Sequence, residues 1–190
     1  MSGTILVTPV TTPRWPDLVS LFGPRGACAG CWCMHWRRLA AAFERGKGRG
    51  NREALRRLIA SGATPGLLAY ADGQPIGWCA VAPREAYPRL ERSRVLRRVD
   101  SEPVWSVVCF FVARPHRRQG VSVTLLEAAA AFALEQGARV LEGYPVEPQR
   151  GASADVFAWT GTAAAFRAAG FTEAHRRSPT RPIMRRVLHS

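Results

Sequence analysis

From Val104 to Tyr144 the chain has one ready way to fold. Val104–Val112 is an apolar run without clean alternation, as expected of a strand covered on both faces. A short basic loop follows, and then a long helix, about Gly120 to Gln136, which Gly137 closes. Ser122, Leu125, Leu126, Ala129 and Ala133 recur along it at helical spacing and would tie it to a sheet. Val140–Tyr144 is a second strand. Such a strand–helix–strand unit is expected to be a right-handed crossover, and it commits the rest of the chain to extending and covering that sheet.

The flanks supply the remainder. Thr4–Val10 is β-branched and apolar enough for a first strand, and Pro16–Phe22 reads as a short helix closed by Gly23-Pro24. Asn51 is placed as the N-cap of a helix carrying Leu55, Leu58 and Ile59 on one face and ending at Gly62. Gly46–Gly50, where Gly alternates with basic residues, is expected to be a mobile loop. Leu67–Ala71 and Pro75–Ala82 flank Asp72-Gly73-Gln74, a hairpin signature. Pro83–Arg98 is polar and Arg-rich and reads as a loop with a short helix. Thr162–Ala169 reads as a helix, and Phe171–Arg176 and Ile183–Leu188 as a final strand pair. Helices and strands mix along the whole length, so residues 1–190 are expected to form a single domain, a three-layer α/β or α+β sandwich.

Apolar residues make up 47 % of the 190 residues and charged ones 22 %, the balance of a soluble globular protein. No run approaches the roughly 18 apolar residues of a membrane span. Met1–Val10 lacks both a basic leader and a long apolar core, so no signal peptide is expected and a cytoplasmic address follows. Five cysteines, an odd number, then argue for reduced thiols. The formal net charge is +13, yet Lys47 is the only lysine and the arginines are dispersed in pairs such as Arg117-Arg118 and Arg185-Arg186. Nucleic acid is disfavoured as a partner, because no aromatic residues interleave with the basic ones as a stacking platform requires. A solvated basic surface, or attraction of a phosphate-rich ligand, accounts for the charge.

The chemistry concentrates in Val112–Leu126. A buried strand ends, a loop carrying Arg117 and Arg118 follows, and a helix opens on Gly120. The first N–H groups of a helix have no partner within it, and its dipole makes that end partly positive, so phosphate is held well there. Gly120 removes the side chain that would keep phosphate oxygens away, and Ser122 is small. The two arginines add charge-assisted hydrogen bonds.

This segment resembles the acyl-CoA pyrophosphate signature of the GNAT N-acyltransferase superfamily, Arg/Gln-x-x-Gly-x-Gly/Ala. Arg117, Gly120 and Ser122 stand on the signature positions, Val112 on the strand-end position and Leu125-Leu126 on the usual Leu pair. Thr162–Phe171 is similar to the superfamily's late helix ending in Gly-Phe. The Cys31-Trp32-Cys33-Met34 run resembles that of a little-characterised bacterial branch, which adds no substrate. The resemblance implies a central mixed, mostly antiparallel twisted sheet of about six to seven strands flanked by about four helices and splayed between strands 4 and 5. It implies acetyl-CoA as co-substrate and a primary amine of a small molecule or peptide as acceptor, with a homodimer among the allowed states. Phe111, Val112 and Ala113 would then meet the pantetheine arm through their backbone. Arg117, Arg118, Gln119, Gly120, Val121 and Ser122 would hold the pyrophosphate.

Acyl transfer to an amine needs a neutral amine, a stabilised oxyanion and a protonated leaving thiolate. Many members of the superfamily place a Tyr four residues before the Gly of Gly-Phe as the acid; here that position is Phe166. Glu142, a carboxylate in a central strand, is the first candidate base, with pairing to one of the many arginines as the alternative. Tyr144 shares its face and is the substitute acid, or else a core aromatic. The cluster Cys28, Cys31, Cys33 and His35 admits zinc, an acceptor pocket or simple packing. No metal is expected, because no second ligand pair appears; Trp32, Cys33 and His35 are instead assigned to the acceptor. Trp159 and Thr160, in the connection Asp155–Thr162, are assigned there too. A non-catalytic basic binding protein or a zinc-stabilised module on the same scaffold remains the competing reading.

Overall fold

The computed structural model describes residues 4–147 and 158–189. Strands β1 (Leu6–Pro9), β2 (Gly66–Ala71), β3 (Gln74–Pro83), β4 (Trp105–Val112), β5 (Val140–Gly143), β6 (Thr172–Arg176) and β7 (Pro182–Val187) form one sheet in the order β1-β2-β3-β4-β5-β7-β6. Every pairing is antiparallel except β4 with β5, whose parallel contact is made possible by the intervening helix α5 (Val121–Glu135). The β2–β3 hairpin turns through Asp72 and Gly73, both at positive φ, which matches the twist of its strands.

Each face of the sheet carries its own core. On one side α5 and α6 (Ala163–Ala168) press Leu125, Leu126, Ala129 and Phe166 onto Leu67, Val81, Val107 and Leu141. Gly77 in β3 makes the close approach of α5 possible, because a Cβ there would lie 3.0 Å from Val121 and 3.2 Å from Leu125. On the other side lie α1 (Trp15–Phe22), α2 (Ala40–Arg45), α3 (Arg49–Ala60) and α4 (Pro88–Glu91). They bury Leu18, Phe22, Phe43, Leu55, Ile59 and Leu90 against Leu68, Trp78, Val108 and Ile183. Among the described residues, no helix is long and apolar enough to cross a membrane.

Three details depart from the sequence expectation. The described residues form six α-helices where about four are expected, because the short α2 and α4 carry too few turns to show a period. Asn51 lies inside α3 and caps nothing. Its buried amide accepts from Arg38 at 2.8 Å and donates to the carbonyls of Gly30 and Phe43, clasping α3 to the segment before α2. The Gly46–Gly50 stretch is the tight α2–α3 junction rather than a loop: Gly48 N–H donates to the Gly30 carbonyl at 2.9 Å, and a Cβ on Gly30 would strike Gly48 at 2.3 Å. Gly30 is the glycine that permits this close backbone approach, since a Cβ on Gly48 or Gly50 would meet nothing within 4 Å.

Candidate functional site

The missing alternation in β4 comes from a bulge. Ala80 faces Cys109 and Val81 faces Val107, so Val108 is the extra residue and the phase of the strand shifts there. Just before it, β4 and β5 part company: Trp105, Ser106 and Val107 pair with Leu141, Glu142 and Gly143, and among the described residues no strand lies beside residues 108–112 on that edge. A fork opens, as the superfamily resemblance implies. The 3-10 turn Ala158–Thr160 packs along β4 there, and Val146 bridges to Thr162.

Antiparallel pairing decides which backbone groups face the fork. Ala113 N–H donates to the Ile76 carbonyl in the β3 direction at 2.9 Å, so the groups of Phe111 also point to β3. Those of Phe110 and Val112 point to the fork. Of the three residues named for the pantetheine arm, Phe111 and Ala113 thus turn their backbone groups to β3, and Val112 turns its groups to the fork. Phe111 instead packs its ring edge-on against Phe22, with centroids 5.7 Å apart.

Beyond the end of β4 the loop is braced from within. Arg117 Nε donates to the Val112 carbonyl at 3.0 Å, which leaves its outer N–H groups free to meet a ligand. Gln119 Nε2 donates to the Pro115 carbonyl at 2.9 Å. Arg118 and Gly120 both hold positive φ, the non-glycine residue at a cost of about 1 kcal/mol, the kind of strain that collects at functional loops. The N–H groups of Gly120, Val121 and Ser122 bond to no other described residue. A Cβ on Gly120 would meet nothing within 4 Å. Open donors, open space and two arginines fit a pyrophosphate.

Glu142 and Tyr144 sit in a closed network. Glu142 accepts from Arg84 Nη1 at 2.9 Å, from Arg185 Nε at 2.7 Å and from the Tyr144 hydroxyl at 2.7 Å. Arg84 also donates to Glu91 and to the Leu96 carbonyl, Arg185 grips Asp100 with two bonds, and Ser106 lies 2.8 Å from the Tyr144 hydroxyl. Arg84 and Glu142 are each 1 % exposed. Both carboxylate oxygens are engaged, so Glu142 is no open base in this arrangement. Burial, with the charge of Glu142 adding to it, pushes the Tyr144 phenol well above its ordinary range, and its proton is directed at Glu142. Of the two alternatives, the geometry is that of a Glu paired with arginine. Arg84, Ser106 and Arg185 carried no sequence signal, because nothing local marks an arginine for burial.

The cysteine-tryptophan segment divides in two. Ala27, Ala29, Trp32 and Cys33 hold positive φ, as do Gly26 and Gly30 in the same run. This contorted path drives Trp32 and Cys33 into the core. Trp32 stacks on Trp15 and Phe22, and Cys33 Sγ accepts from Trp78 Nε1 at 3.1 Å. Burial raises Cys33, but hydrogen bonds with Cys109 and Trp78 outweigh it and bring the thiol below its usual value, whereas burial lifts Cys31 to about 11. All five thiols are free, and among the described residues no three His, Cys, Asp or Glu side chains converge as a metal requires. His35 lies elsewhere, edge-on to Trp36, Phe43 and Trp159. Burial, with Arg89 beside it, lowers His35 to about 4, so the ring is neutral at pH 7. The structure thus joins His35 to Trp159 beside β4. Thr160 is buried next to them with no partner for its hydroxyl. Asp155 lies outside the described residues.

Phe166 fills the position where a proton donor stands in many of the resembled enzymes. Its ring is sealed between Phe110, Phe171 and two glycines; a Cβ on Gly143 would fall 2.0 Å from Phe166 Cε1. Gly143→Ala should therefore cost about 2–3 kcal/mol by overpacking, although alanine suits a strand better than glycine. Urea melts should show part of that loss recovered when Phe166→Leu is added. A neutral Gly143→Ala would mean that the two side chains are not in contact.

The chain matches the model of the Acetyltransferase (GNAT) family over residues 33–158. No curated protein is similar in sequence at a significant level. Solved structures are similar in fold. PaiA N-acetyltransferase from Thermoplasma acidophilum, solved with coenzyme A, is 14 % identical, with 97 % of this chain and 99 % of that one covered at a TM-score of 0.54. The ribosomal-protein-alanine N-acetyltransferase of Brucella melitensis is 18 % identical, with 96 % and 99 % covered at 0.53. A GNAT-family acetyltransferase from Listeria monocytogenes is 11 % identical, with 99 % and 98 % covered at 0.59. Identities this low speak for the fold alone; together with the family match across the fork and the α5 N-terminus, they place this chain in the GNAT acetyltransferase family.

Proposed function

We propose that the chain moves an acetyl, or another short acyl, group from acyl-CoA to a primary amine of a small molecule or peptide, by direct attack in a ternary complex. The observation that carries this is the open, donor-lined N-terminus of α5 at the mouth of the β4–β5 fork, with Gly120 leaving its space free. Acyl-CoA, when bound, would supply the activated acyl group, and its thiol would leave.

The protein's own residues divide the remaining work. The N–H groups of Gly120, Val121 and Ser122, with Arg117, Arg118 and Gln119, hold the pyrophosphate end. Phe110 and Val112 present backbone groups to the arm in the fork. Glu142 and Tyr144 act as positioning residues: their network with Arg84 and Arg185 fixes the last paired rungs, Ser106 with Glu142 and Val107 with Gly143, from which the fork diverges. His35, Trp36 and Trp159 wall the acceptor side. Trp32 and Cys33 support that wall from the core. Five free thiols suit a reducing, cytoplasmic compartment.

Acetyl-CoA at about 100 times its Kd should add about 2.7 kcal/mol of stability. In a chain of this size that raises Tm by about 5–10 °C. An amine screen with thiol detection should then find acetyl-CoA-dependent CoA release. No shift in Tm with millimolar acetyl-CoA would end this reading.

A further inference from the structure

A cavity of about 360 Å³ lies beside the acceptor wall, lined by His35, Trp36, Leu39, Ala40, Arg89, Arg92 and Ser93. Among the described residues, its polar side chains share one property: each carries a hydrogen-bond donor and none is acidic. Arg89 is held in place by its N–H bond to the Trp36 carbonyl and by Nη1, which donates to the His35 carbonyl at 3.2 Å and lies 3.3 Å from His35 Nδ1. An arginine only donates, so Nδ1 accepts and the proton of the neutral ring sits on Nε2. Nε and Nη2 of Arg89 have no described partner. Arg92 is exposed and pairs with no described residue. Ser93 Oγ accepts from Leu96 N–H at 3.1 Å, which leaves its hydroxyl proton to give. Trp36 lines the cavity, but its Nε1–H is buried away from solvent, without a described partner, and is not among the donors open to it. Of the carboxylates on the flanking helices, Glu44 pairs with Lys47, and Glu91 with Arg84 and Arg98.

A half-open cavity with unspent donors and two guanidinium groups selects an anion. Its position says what carries that anion. His35 and Trp36 touch Trp159, with ring centroids 5.2 and 5.9 Å apart, and Trp159 belongs to the turn packed along the forked part of β4. Trp159 thus links the cavity wall to the strand along which acyl transfer is proposed. We propose that this cavity binds a carboxylate or phosphate on the acceptor, so that the acceptor is an amine that also carries an anionic group. The proposal rests on the acyl-transfer reading above and names the class of its second substrate.

The test uses matched amines with acetyl-CoA: β-alanine against β-alaninamide, and phosphoethanolamine against ethanolamine. The anionic member of a pair should release CoA with kcat/KM higher by about tenfold or more, and the better pair tells carboxylate from phosphate. Arg92→Gln should raise KM for that anionic member about tenfold without raising KM for acetyl-CoA, whereas Arg94→Gln, a charge-matched change outside the cavity, should not. Equal use of the neutral amines, an equal effect of Arg92→Gln on both members of a pair, or turnover of none of the four would overturn the anion site. The separate Tm shift with acetyl-CoA keeps the two readings apart. If that shift is present, only the anion site falls; if it is missing, acyl transfer falls and the anion site with it.

Discussion

Glu142→Ala should unfold about 10 °C below the unsubstituted protein, a loss of about 3–5 kcal/mol. The cause is what the substitution leaves behind. Arg84 is 1 % exposed, and removal of Glu142 strips a buried guanidinium of its buried counter-charge; Arg185 and the Tyr144 hydroxyl each lose one partner with it and keep Asp100 and Ser106 respectively. Glu91 still reaches Arg84 from the surface, which keeps the loss short of complete unfolding. A surface ion pair would instead change stability by less than about 1 kcal/mol, so chemical denaturation separates the two cases cleanly. Glu142→Gln completes the test of role. If Glu142 positions the fork, activity should fall by a similar factor at every pH. A base would show itself by a loss that shrinks at high pH, where the amine is already neutral.

Gly120→Glu should abolish the rise in Tm caused by acetyl-CoA and weaken its binding by at least about 100-fold, roughly 2.8 kcal/mol. The free protein should lose only about 1 kcal/mol. Gly120 holds φ +79, which a side chain adopts at modest cost, and its Cβ would meet nothing within 4 Å. The space is vacant for a reason other than packing, and a carboxylate placed there faces the pyrophosphate with like charge. Thermal melts with and without acetyl-CoA read both quantities in one experiment. An undiminished shift would move the pyrophosphate away from the α5 N-terminus.

The charge of +13 looks different once the arginines are located. Arg181, Arg177 and Arg186 donate to main-chain carbonyls at Tyr144, Arg97 and Ala169, and Arg38 clasps Asn51. Arg176 joins Glu147 and Glu173. Much of the basic content is thus spent on holding the chain together. Dispersed pairs in a sequence cannot reveal this, since each guanidinium finds its carbonyl tens of residues away.

The sequence by itself determined the sheet, its central crossover and the glycine that opens α5. These rest on local rules: strand and helix periods, the Asp72-Gly73 turn, and a glycine at a helix start, where the first N–H groups have no partner within the helix. It also determined that the position of the usual acid is Phe166. Only the tertiary structure decided the rest. The bulge at Val108 chose which backbone groups face the fork, and a pairing register involves two strands at once. Glu142 reads as a base or as an ion-pair partner until Arg84 and Arg185 arrive from 58 and 43 residues away. Trp32 and Cys33 read as pocket residues until a run of left-handed backbone turns them inward. The donor-only cavity likewise joins the segment before α2 to α4 and its flank. A buried charge or a ligand wall is a property of what surrounds a residue, and that is assembled only when distant segments meet.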